Sequence, residues 1–180
     1  MASTRSGWPT SPTSACRKFA YLAIVLDAFS RRVVGWAMET HLEARMAIAV
    51  LSMAIKARQP PPGSLIHHSD RGTQYACGDY AELLQHYAIA ASMSRVGNPY
   101  DNAKAESFMK TLKKEEVDGS AYRDAVDARA KIGTFIEEVY NRQRLHSALD
   151  YRPPLEYEDL LPRLTAAISP PSISFNQNCP

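Results

Sequence analysis

The chain has 180 residues, 45% of them apolar, and a formal net charge of +2. That is enough for one domain with a sizeable core, too little charge to argue for a nucleic-acid partner by itself, and no apolar run is long enough to cross a bilayer as a helix. Cys16, Cys77 and Cys179 are scattered and odd in number, without metal-ligand spacing or a disulfide framework, and the polar, proline-containing start does not read as a signal peptide. The expected compartment is therefore the reducing cytoplasm.

Residues 1–18 are rich in Ser, Thr and Pro and show no period, and Pro9 and Pro12 argue against a central strand there. Tyr21 to Leu26 is a continuous apolar run, as in a buried strand. Asp27, Ser30 and Arg31 mark a tight turn, and Arg32 to Met38 reads as the returning strand of a hairpin. Glu43 to Lys56 has a helical apolar face in Ala44, Ala47, Ile48, Leu51 and Ile55, stopped by Gln59-Pro-Pro-Pro-Gly63. Leu65 to His68 is a short strand ending at Ser69-Asp-Arg-Gly72. Gly78 to Tyr87 reads as a helix, Ile89 to Met93 as a strand, and Gly97 to Asp101 as a loop. A helix from about Asn102 to Glu116 follows, with Asp101 or Asn102 as its N-cap, and another over roughly Tyr122 to Asn141. A hairpin followed by alternating helices and strands indicates an α/β fold with a mixed sheet. The chain divides into an irregular segment 1–18, a domain 19–157, and an extended or disordered tail 158–180.

Two stretches carry chemistry. Asp70 closes a short buried strand, where α/β sheets bind their ligands, and Gly72 leaves room beside it. Glu106 lies inside a helix, with Lys110 and Lys113 four and seven residues on, so all three share one face. A strand-end aspartate and a helix glutamate can share a hard divalent ion, which takes oxygen ligands and keeps several waters. Lysines beside it suit an approaching phosphate backbone; the plain reading is a solvated face with an ordinary Glu–Lys pair.

The blocks His68-Ser-Asp-Arg-Gly-Thr-Gln-Tyr75, Ser92-Met-Ser-Arg95 and Gly97-Asn-Pro-Tyr-Asp-Asn-Ala-Lys-Ala-Glu-Ser-Phe108 resemble the integrase core of insertion-sequence transposases whose catalytic protein comes from a second reading frame. Asp70 and Glu106 have 35 residues between them, the spacing of that family's Asp-Asp-Glu signature. Tyr21 to Trp36 resembles the family's second and third strands, and Tyr140-Asn-Arg-Gln-Arg-Leu-His146 with Leu149-Asp-Tyr-Arg-Pro-Pro154 resembles its C-terminal signature. The resemblance implies a ribonuclease H-like fold, a two-ion Mg²⁺ or Mn²⁺ site, hydrolysis at transposon ends, and attack of a 3′-hydroxyl on target DNA. It makes Asp70 and Glu106 the catalytic metal ligands and Lys110 and Lys113 contacts to DNA. It also implies a homo-oligomer that pairs two DNA ends.

The family's first catalytic aspartate is expected on the first strand, in a block reading approximately Trp-Val-Ala-Asp-Ile-Thr-Tyr-Ile. Here Gly7 to Ser14 contains no carboxylate, and none occurs before Asp27. Codons for Thr4 to Ser14, read one frame over, can spell Gln-Val-Trp-Val-Ala-Asp-Ile-Thr-Tyr-Ile. The sequence therefore suggests a frameshift that returns to frame near Cys16–Lys18. It predicts a missing, shortened or displaced first strand and severely reduced strand transfer. The absence of a recognisable helix-turn-helix suggests a truncated product. Asp27 could stand in as a ligand, but its ordinary role is to turn the hairpin with Ser30.

Of the two neighbouring histidines, only His68 shares a strand face with Asp70, which makes it a candidate supporting residue. Arg71, Asn102, Arg142, Arg144 and His146 are candidate DNA contacts on loops and helix ends. Trp36, Phe108, Phe135 and Tyr140 read as core. Two rival readings are a non-catalytic remnant that binds DNA or an intact transposase, and a ribonuclease H-like nuclease unrelated to transposition.

Overall fold

The structure is a computed structural model and describes residues 2–9, 19–41, 43–69, 77–93, 103–118 and 120–168. Among the described residues, five strands form one mixed sheet in the order β3-β2-β1-β4-β5. They are β1 (Ala2–Pro9), β2 (Phe19–Leu26), β3 (Val33–Glu39), β4 (Ile66–Ser69) and β5 (Ala90–Met93). The first three form an antiparallel meander, while β4 runs parallel to both β1 and β5.

β2 is apolar throughout because both faces of the sheet are covered. Ala20, Leu22, Ile24 and Leu26 point into one core, and Ala23 and Val25 into another. The second core is closed by α1 (Ala44–Arg58) through Met46, Val50 and Ala54. Gly35 permits this approach, since a Cβ there would lie 2.4 Å from the Val50 carbonyl oxygen. A third cluster joins α1 to α2 (Gly78–His86) through Leu51, Ile55, Tyr80 and Leu84.

The first core is covered by α3 (Ala103–Leu112) and α4 (Ala125–Thr134), each continuing into a wider π-helical turn, Lys113–Val117 and Phe135–Tyr140. Asp124 caps α4 by accepting the Asp127 amide at 2.8 Å. Phe108, Phe135 and Tyr140 are buried, and Trp36 packs against the same cluster, as the sequence indicates. The proposed N-cap of α3, Asp101 or Asn102, lies outside the described residues.

Two expectations are corrected. The first strand is neither missing nor shortened, but it lies earlier in the chain than the expected block Gly7 to Ser14: β1 pairs with β2 along all eight residues, from Ala2↔Leu26 to Pro9↔Phe19. Pro9 is tolerated because it stands last, where a missing amide removes only a terminal ladder bond. Among the described residues its pairing with β4 runs over Ala2↔His68 and Ser3↔Ser69. The segment 1–18 is thus not irregular throughout. The tail is not extended from residue 158 either, because α5 runs Pro154–Ile168. Pro154 suits a first helical turn. Glu158 then anchors the helix to Arg32 at 2.8 Å and to Arg58.

Candidate active site

α3 packs against β1 and β2, burying Ala105, Phe108, Met109 and Leu112. That spacing fixes which residues face solvent. Glu106, Lys110 and Lys113 are all exposed and share one stripe, as the sequence indicates. Lys104 donates to the Ala28 carbonyl at 3.1 Å and ties the start of the helix to the β2–β3 turn.

β4 ends at Ser69, directly before Asp70, the other candidate ligand. Its side chains alternate, with His67 and Ser69 buried and Ile66 and His68 turned to the opposite face. His67 is a core residue: its Nε2 meets the Tyr80 hydroxyl at 2.7 Å, and burial pushes its pKa down to about 4. His68 is half-buried, its Nδ1 meeting Ser92 Oγ on β5 at 3.1 Å. Asp70, Arg71 and Asn102 lie outside the described residues.

A hard divalent ion requires several oxygen ligands. Among the described residues no three His, Cys, Asp or Glu side chains converge on one position. The strand between β2 and β4, which lies under α3, reads Ala-Ser-Thr-Arg-Ser-Gly-Trp-Pro and offers no carboxylate. Among the described residues, then, the acids needed for the implied metal site are met only in part, by Glu106 on α3. Asp27 is engaged elsewhere. Its Oδ1 accepts the Phe29 amide at 2.9 Å and the Ser30 amide at 3.3 Å, and its Oδ2 pairs with Arg58 at 3.0 Å. That is the turn role, not a ligand role.

Within the C-terminal signature, Asn141 and Tyr140 are structural. Asn141 is fully buried, its Oδ1 accepting the Val33 amide and its Nδ2 donating to the Val33 carbonyl, both at 3.0 Å. Its side chain thus extends the ladder at the start of β3. Tyr140 meets Phe108 and His146 edge-on, at ring-centre distances of 4.7 and 5.1 Å. Arg142 pairs with Glu138 at 3.4 Å, and Arg144 with Glu115. Sequence reasoning missed Asn141 because Val33 is 108 residues away and no local pattern points to it.

Comparison with known proteins accords with this geometry. An integrase core domain model matches residues 8–99, and a second integrase core domain model matches residues 87–154. The transposase for insertion sequence element IS904 of Lactococcus lactis is 41% identical over 138 residues, covering 77% of this chain and 54% of that protein. The transposase InsF for insertion sequence IS3A of Escherichia coli is 39% identical over 139 residues, covering 77% and 48%. The chain thus spans about half the length of the curated relatives it matches. Among solved structures, the HTLV-2 integrase catalytic core domain in complex with magnesium superposes with a TM-score of 0.60 at 13% identity, covering 87% of this chain and 94% of that one. The BIV integrase catalytic core gives 0.59 at 16% identity, covering 92% and 97%. The fold is the ribonuclease H-like fold of integrase catalytic cores. With a family model matched over half its length, this chain belongs to the integrase core domain family and is related to insertion-sequence transposases.

Proposed function

We propose that this chain is the catalytic core of an insertion-sequence transposase, built for DNA end cleavage and strand transfer, and that its activity is impaired because the first metal-binding acid is missing. The observation that carries the proposal is the central strand β1, which packs under the helix bearing Glu106 and contains no Asp or Glu. Asp70 and Glu106 would hold Mg²⁺ or Mn²⁺. Bound there, such ions supply activation of an attacking oxygen and stabilisation of a leaving one. The chain's own residues would do the rest. Lys110 and Lys113 flank Glu106 on the exposed stripe and would hold the phosphate backbone over it, with Arg71 and Asn102 contacting DNA beside it. His68, braced by Ser92, would support the strand end that carries Asp70.

The partners would be transposon-end and target DNA, with a second copy of the chain to pair the ends, in the cytoplasm. The test is cleavage and joining of labelled end DNA by the purified chain with Mg²⁺ or Mn²⁺. The expected rate is at least ~10³-fold below that of a chain with three acids, since metal-ligand positions act as a unit. Joining at an undiminished rate would refute the impairment. The acid-free strand equally favours a second reading, a non-catalytic remnant that binds DNA or intact transposase. The two differ in whether any metal-dependent cleavage remains.

A further inference from the structure

α3 has a second functional-looking stripe. At about 100° per residue, Glu106, Lys110 and Lys113 lie on one flank of the buried stripe, and Lys104, Ser107 and Thr111 on the other. The second stripe forms one wall of a cavity of about 280 Å³. Arg31 from the β2–β3 turn and Arg144 and His146 from the segment after α4 complete the wall, which is mainly polar.

Three cations from three separate elements therefore converge on one hollow, with Glu115, paired to Arg144, as the acid beside them. Like charges gathered in this way repel unless an anion joins them. Burial, then Arg144, then Arg31, depress the pKa of His146, which shows how close these charges stand. His146 Nε2 is buried and has no hydrogen-bond partner. Arg31 holds a left-handed φ of 63°, an uncommon and strained state for a residue with a Cβ, closed by its amide donating to Asp27 O at 2.9 Å. The hydroxyls of Ser107 and Thr111 supply uncharged donors between the cations.

We infer that the cavity between α3, the β2–β3 turn and the His146 segment is a phosphate-binding site that grips a DNA backbone phosphodiester on the flank of α3 opposite Glu106. This rests on the DNA-processing reading above. A backbone held on both flanks would straddle the helix, so the cavity would fix register while the Glu106 face meets the reacting bond.

Fluorescence anisotropy of a labelled end duplex, titrated with the full chain over a salt series, tests it without requiring activity. Arg31→Gly removes a cation and relieves the backbone, so folding is expected to survive. Lys104→Gln removes a charge with little change in volume. Each is expected to weaken binding several-fold and to lower the log–log salt slope by about one, as loss of one phosphate contact does. Lys110→Gln serves as the comparison on the other flank. If the two cavity variants bind with the affinity and slope of the unsubstituted chain while Lys110→Gln does not, the cavity proposal fails and the DNA reading stands. If the unsubstituted chain binds no duplex, both fail. A second arm titrates labelled protein with inorganic phosphate and follows the His146 ring resonances. Shifts there with unchanged DNA binding in the cavity variants would mean free phosphate is the ligand, which also overturns the proposal.

Discussion

The two adjacent histidines of β4 show how one residue of register separates core from site. His67 is 1% exposed and held neutral by burial, with a pKa of about 4 against an ordinary 6.5. A depressed histidine pKa means that the unfolded chain takes up a proton first as pH falls. Stability is therefore intact above about pH 6.5 and is lost progressively down to about 4, on the order of 3 kcal/mol in all. Urea midpoints between pH 7 and pH 4.5 are expected to fall for the unsubstituted chain and to fall less steeply for His67→Gln. Equal slopes would show that the buried imidazole does not set the acid sensitivity. The alternation of strand side chains makes the His67/His68 division legible in sequence. The Tyr80 partner is not, since it comes from a helix thirteen residues on.

Elements read well where a local period exists and poorly where a distant contact decides. The β2–β3 hairpin, α1, β4, α2, β5 and α4 all lie within a few residues of where apolar spacing puts them. β1 has no period and ends on a proline, yet it forms because β2 offers a complete antiparallel edge. Most of α5 is not legible in the sequence, because its anchor, Glu158, finds Arg58 a hundred residues earlier. There burial raises the Glu158 pKa, but hydrogen bonds from Arg58, Ser30 and Arg32 outweigh it and the net shift is downward. The junction of α4 with β3 has the same long-range character. Asn141→Ala removes both hydrogen bonds to Val33 and strands a buried amide and carbonyl, so the expected cost is about 2–4 kcal/mol. Chemical denaturation would measure it. A loss under about 0.5 kcal/mol would mean that water replaces the side chain without penalty.

At the scale of the molecule, β1 pairs with β4 and α3 packs against β1, so the proposed site would lie where these three elements meet. The carboxylate spacing and the four motif blocks made this much readable from sequence. The convergence of Arg31, Lys104 and Arg144 was not readable, because those residues share no element. The start of the chain supplies the strand between β2 and β4 but none of the acid that the family carries there. Replacing Arg5–Ser14 with Gln-Val-Trp-Val-Ala-Asp-Ile-Thr-Tyr-Ile restores the family's first-strand block, its aspartate at position 10, one residue past the present β1, and Mg²⁺-dependent cleavage and joining of end DNA is then measured. The restored chain is expected to gain at least ~10³-fold over the present one, and adding Glu106→Gln is expected to abolish the gain. A restored chain no more active than the present one, or a gain indifferent to Glu106, would contradict the proposed impairment.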